Sequence, residues 1–172
     1  AASPQVLQRA ARGMAGARGH QECGVHPGRL GVIDWSRPPP VPRLWVFDLA
    51  RHRLLFEEWV AHGRNSGDNL TARFSNREGS YMTSLGGFTA QETYMGGNGY
   101  SLRLRGLEPG INDQARQRAI VIHGAPYVNP VAAKMQGLVV ETRLQSAQAQ
   151  RWLLYTSASP RAGEEVSMTS FA

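Results

Sequence analysis

The stretch Glu92-Thr93-Tyr94-Met95-Gly96-Gly97-Asn98-Gly99-Tyr100-Ser101-Leu102-Arg103-Leu104 decides the fold class. Two runs containing aromatic and β-branched residues flank a Gly-Gly-Asn-Gly core whose residues tolerate positive φ, the signature of a tight turn between paired strands. Working outward, Met82–Phe88 reads as a further strand, and Gly63–Asn69, rich in Gly, Asn, Ser and Asp, as a loop. Leu44-Trp45-Val46-Phe47 is apolar at every position, which predicts a strand buried on both faces. A turn over Ala50–Arg53 leads into Leu54-Leu55-Phe56 and on to Trp59-Val60-Ala61, its expected hairpin partner. Downstream, Asn112 or Asp113 is positioned to cap a short helix through Arg118. Ala119-Ile120-Val121-Ile122 then forms another apolar strand that ends directly at His123-Gly124. Short strands at close intervals predict a mostly β fold, a sandwich or barrel, and not a parallel α/β sheet.

The N-terminal part differs in texture. Val6, Leu7, Ala10, Ala11 and Met14 recur at helical spacing behind Pro4, so one helix is expected to about Gly19. The apolar run Leu30–Trp35 follows. Pro38-Pro39-Pro40 and Pro42 then impose an extended connection. Three segments result: a helix and Pro-rich connection over 1–42, a β domain over 43–137, and a tail over 138–172.

Length and composition narrow the function. At 172 residues, 41% of them hydrophobic, the chain has room for one domain with a real core. Its charge is +6 and its pI about 10.2. Of the 19 basic residues 18 are Arg and only Lys134 is Lys, and they are dispersed. No basic stripe interleaved with aromatics occurs, so nucleic acid is not the expected partner. Cys23 is the only cysteine, which excludes an intrachain disulfide and a cysteine zinc cluster. No HExxH or other metal-ligand spacing is present, and neither metal nor cofactor is expected. No run approaches the roughly 20 apolar residues of a membrane-spanning helix. The start Ala1-Ala2-Ser3-Pro4 lacks a signal-peptide pattern.

Among chemically able residues His123 stands first. It closes an apolar strand and is followed by Gly124, where a rigid scaffold hands over to a loop. Imidazole titrates near neutrality and can act as a general base, although a strand-end histidine bonded to backbone fits the same position. His62-Gly63 repeats the arrangement after Trp59-Val60-Ala61.

Several segments taken in order resemble the murein L,D-transpeptidase catalytic domain family, the YkuD-like cysteine enzymes of bacterial cell walls. They are Leu44–Leu49, Val60–Gly63, Phe74–Asn76, Thr83–Phe88, Gly99–Leu104, Gly106–Glu108 and, above all, Ile120–Ala125. The resemblance spans about 30–137. It implies a mostly β catalytic domain of the cell envelope and acyl transfer through a thiolate. That thiolate attacks the bond between the third and fourth residues of a peptidoglycan stem, and the amine of a neighbouring stem resolves the thioester. His123 matches the family's base, and Gly124 would orient its ring. Ser84, Tyr94, Tyr100 and His62 are the candidate contacts to the stem peptide.

The likeness breaks where the family places its nucleophile, a Gly-Cys segment roughly twenty residues after the histidine. Here Gly137–Ala147 holds no cysteine. Cys23 lies 100 residues before His123 and upstream of the proline boundary. The resemblance therefore implies an L,D-transpeptidase-like chain without its nucleophile. Such a chain would be a silent peptidoglycan-binding module, or the product of a frameshifted or truncated gene whose β domain is incomplete at its C-terminus.

Overall fold

The computed structural model describes residues 28–38, 40–68, 70–97 and 99–123, the backbone of 153–157, and isolated positions before residue 28. The helix expected over Pro4–Gly19 falls largely outside the described residues, as do Cys23 and Gly124. What is described is mostly β: β1 (Arg29–Asp34), β2 (Leu44–Asp48), β3 (Arg53–Glu58), β4 (Gly86–Gly96), β5 (Gly99–Gly106), β6 (Val121–His123) and β7 (Leu153–Ser157).

These strands form one seven-stranded sheet in the order β3-β2-β1-β7-β4-β5-β6. It consists of two antiparallel units, β1–β2–β3 and β4–β5–β6, bridged by β7. β7 runs parallel to β1, with Val32 opposite Tyr155, and antiparallel to β4, with Gly87 opposite Tyr155. The hydrogen-bonded order is linear, so the described strands do not close into a barrel. Both units nevertheless feed one apolar cluster, as the faces of a sandwich do. Ile33, Leu44 and Val46 meet Phe88, Ala90, Leu102 and Leu104 there.

β2 is flanked by β1 and β3 and buried along almost its whole length, in accord with its unbroken apolar run. Its partner β3 stops at Glu58, short of the expected Ala61, and carries the exposed Arg53 and Glu57 that suit an outer strand. The strand expected over 82–88 begins only at Gly86, and it runs on through the one expected over 92–95 as a single 11-residue strand, β4, kinked by an irregularity between Ala90 and Thr93. The tight turn is confirmed: Gly96 pairs with Gly99, and Gly99 takes φ 83°, which only glycine adopts without cost.

Two expectations are corrected. Residues 109–119 form consecutive turns in place of a capped helix. The reason is that neither side chain is available as a helix cap. Asn112 is fully buried, donating through Nδ2 to the Leu85 and Gly87 carbonyls at 2.8 and 3.0 Å and accepting the Glu108 N–H at 2.8 Å. Asp113 accepts from Gly110 N–H and Asn76 Nδ2, both at 2.8 Å. The second correction concerns the C-terminus. The sheet does not stop at the strand holding Ile122, because the tail supplies β7 at its centre.

Candidate functional site

β6 is only three residues long, yet its register fixes the surroundings of His123. Ser101, Leu102 and Arg103 of β5 lie opposite His123, Ile122 and Val121. The Leu104 N–H donates to the Ile120 carbonyl. In an antiparallel ladder bonded and non-bonded pairs alternate, so Leu102–Ile122 is a bonded pair and Ser101–His123 a close, non-bonded one. Leu102 and Ile122 belong to the core cluster. His123 and Ser101 therefore project from the opposite face of the sheet. Tyr94 on β4 is paired in turn with Ser101. A row Tyr94–Ser101–His123 thus runs across three strands on one face, with Arg103 two residues beyond Ser101.

The imidazole of His123 is half-buried, and burial lowers its pKa below the ordinary histidine value, leaving it neutral at neutral pH. A neutral imidazole has a lone pair available to accept a proton. Ser101 is 2% exposed and donates its hydroxyl to the Gly99 carbonyl at 3.0 Å. The Tyr94 ring lies over Gly96, whose missing side chain makes room for it, and carries the Arg103 guanidinium 4.1 Å from its centroid. Arg103 Nε faces Glu92 Oε1 at 3.2 Å, and Arg116 Nη2 bonds the same oxygen at 2.9 Å.

The other candidate contacts lie elsewhere. Tyr100 pairs with Met95 beside the hairpin turn, on the face opposite to Tyr94, and is 47% exposed. Ser84 is buried, donates to the Ser75 carbonyl at 3.2 Å and accepts from Arg118 Nη1 at 2.5 Å. Arg118 also reaches the Ser75 and Met82 carbonyls and the Ser80 hydroxyl, so it ties the whole 75–84 segment together. Both ring nitrogens of His62 are engaged: Nδ1 accepts from Arg43 Nη2 at 3.2 Å and Nε2 donates to the Gly67 carbonyl at 2.9 Å. Since a guanidinium can only donate, this pairing fixes the tautomer. Burial, with repulsion from Arg43, holds its pKa below the usual histidine value.

The structure thus joins Tyr94 to His123 and leaves His62, Ser84 and Tyr100 outside that row. Reading the residues one by one missed Ser101 and Arg103. The alternation with Leu102 and Leu104 places both on the face away from the core, but nothing in the sequence sets β5 against β6.

A family model, the L,D-transpeptidase catalytic domain, matches residues 1–142. The chain belongs to this family. No curated protein and no solved structure matches it. L,D-transpeptidase catalytic domains act on peptidoglycan and are associated with the cell envelope. His123 closes β6, and the only cysteine in the sequence is Cys23. Among the described residues no helix is long and apolar enough to cross a membrane.

Proposed function

We propose that the chain is an L,D-transpeptidase-like domain of the bacterial cell envelope, periplasmic or extracytoplasmic, that engages peptidoglycan stem peptides without turning them over. One observation carries this reading. The row around a neutral His123 is built on three paired strands, and no cysteine follows His123 in the sequence. Acyl transfer needs a thiolate as well as the base that generates it. With the base alone, peptide amides can be bound and oriented but no thioester forms. Tyr94, its ring packed between Arg103 and Gly96, offers its phenolic hydroxyl as a hydrogen-bonding group for a peptide backbone. The central place of β7 supports a tail that belongs to the domain and speaks against a scrambled remnant.

The test has two arms. Intact-mass spectrometry after incubation with a thiol-reactive carbapenem-type β-lactam, or with tetrapeptide stems, is expected to show an unmodified chain and no product. Calorimetric titration with tetrapeptide stems is expected to show saturable binding that weakens in His123→Ala. A thioester adduct on Cys23 would overturn the inactive reading, and the absence of saturable binding would overturn the binding reading.

A further inference from the structure

We infer that the end of the β4–β5 hairpin is a membrane contact: Met95 and Tyr100 enter the interfacial layer of an anionic lipid bilayer, and arginines behind them face its headgroups. The inference is independent of the stem-peptide reading and uses an apolar pair outside the His123 row. Among the described residues β7 pairs with β4 only over Gly86–Thr89, and β6 with β5 only over Ser101–Arg103. Met95–Gly96 and Gly99–Tyr100 therefore run past both neighbouring strands. The Leu104 N–H donates to Ile120 on the β6 side, so Tyr100, four residues earlier, also turns its backbone to that side. Met95–Tyr100 is then a non-bonded pair of the β4–β5 ladder, the kind whose side chains stand closest. Both share the face of Leu102, which is buried in the core, yet they are 76% and 47% exposed.

Size favours a lipid surface over a protein partner. Even an aromatic side chain buries no more than about 250 Å². The pair thus falls short of the roughly 800 Å² that each partner of a stable protein interface contributes. Interfacial lipid binding needs only a few apolar side chains combined with charge. The residue types agree. The ten residues Thr93–Leu102 carry no charge, and tyrosine joins an apolar ring to a hydroxyl that stays wet, as in the aromatic belts of membrane interfaces. Charge lies just behind. Arg103, Arg105 and Arg116 stand with one carboxylate, Glu92, which Arg103 and Arg116 share, so this group carries two positive charges in excess. The Arg103 guanidinium leans toward the tip, since it stacks on Tyr94, whose ring in turn lies over Gly96. Its backbone is about 10 Å behind Tyr100, close to the Debye length of about 8 Å, so an anionic surface at the tip feels its charge.

The experiment is co-sedimentation of the full chain with vesicles of phosphatidylcholine, alone or mixed equally with phosphatidylglycerol. Wild type is expected to bind the mixed vesicles, more weakly as salt rises, and phosphatidylcholine alone about tenfold less tightly. Met95→Ser combined with Tyr100→Ser is expected to lose about tenfold in affinity for the mixed vesicles. Both positions are exposed, so its thermal midpoint should match wild type. Arg103→Gln is expected to weaken binding to the mixed vesicles only. Leu70→Ser, which removes an exposed apolar side chain elsewhere, is expected to change neither. Met95→Ser alone should bind tetrapeptide stems as wild type does, so the stem-peptide reading and this one can fail separately. No vesicle binding by wild type, or equal binding by the double variant, would overturn the inference. So would a dimer in sedimentation equilibrium that the double variant abolishes and that binds no vesicles, which assigns the tip to a second copy of the chain.

Discussion

The buried residue with most at stake is Arg43. Its guanidinium lies 4.7 Å from the centroid of the Trp35 ring and donates to the Val60 and Arg37 carbonyls, each at 2.8 Å, and through Nη2 to His62. Burial lowers its pKa to about 10, with Asp34 opposing, so it stays charged at neutral pH. Arg43→Met keeps the apolar stem but strands several acceptors, and an expected loss of about 3 kcal/mol should appear in urea unfolding. His62 makes the same cluster pH-sensitive. Its folded pKa lies below the unfolded value of about 6.5, so between the two the unfolded chain binds more protons. The stabilisation is complete above about pH 6.5 and is lost as pH falls through the lowered folded value. His123 is shifted in the same direction, also by burial. The lowered carboxylates Asp48, Glu57, Glu92 and Asp113 act below about pH 4.5. Glu108, raised by burial, opposes the trend by favouring the folded state as it protonates. The unfolding midpoint should therefore fall between pH 7.5 and 5.5, and fall less in His62→Gln, whose amide can accept from Arg43 and donate to Gly67. Equal slopes in the two proteins would remove His62 from the account. None of this is visible in His62-Gly63 as sequence, because the partners Arg43 and Gly67 are set by how β2 and the 63–72 loop come together.

At the level of elements, runs that carry their own periodicity were legible and segments held by distant partners were not. β2, β5 and the hairpin turn follow from unbroken apolar, alternating and glycine-rich stretches respectively. The 109–119 segment misled because Asn112 and Asp113 are good helix caps when only local groups compete for them. Here the Asn112 amide is taken by Leu85 and Gly87, 27 and 25 residues away. Gly106 belongs to the same device, since a Cβ there would stand 1.9 Å from the Asn112 carbonyl oxygen. Asn112 thus pins the start of β4 against the turns after β5. Asn112→Ala leaves two carbonyls and one N–H buried without it, and should cost about 2–4 kcal/mol. Asn112→Asp should cost more, because a carboxylate would then face those carbonyls without a hydrogen to donate. Guanidinium denaturation of the three proteins checks the order, and an aspartate variant as stable as wild type would contradict it.

The whole molecule depends on a strand that the resemblance passes over. Residues 151–155, Arg-Trp-Leu-Leu-Tyr, have an apolar centre, but nothing nearby tells a central strand from a stray apolar run, because both partners lie 60 or more residues away. β7 is hydrogen-bonded on both sides, and without it β1 and β4 face each other as two open edges across the gap of a strand. Truncation after residue 137 should therefore abolish cooperative unfolding and promote self-association. Truncation after residue 160, which keeps β7, should not. A milder version is Tyr155→Pro. It removes one backbone donor at the position facing Val32 and Gly87 and should loosen the junction of the two antiparallel units. Sedimentation and thermal unfolding of the four proteins distinguish the cases. Should the chain ending at 137 be monomeric, with the same sharp transition as the full chain, β7 would be dispensable. The two units would then be held by the shared core of Ile33, Leu44, Val46, Phe88 and Leu104 alone.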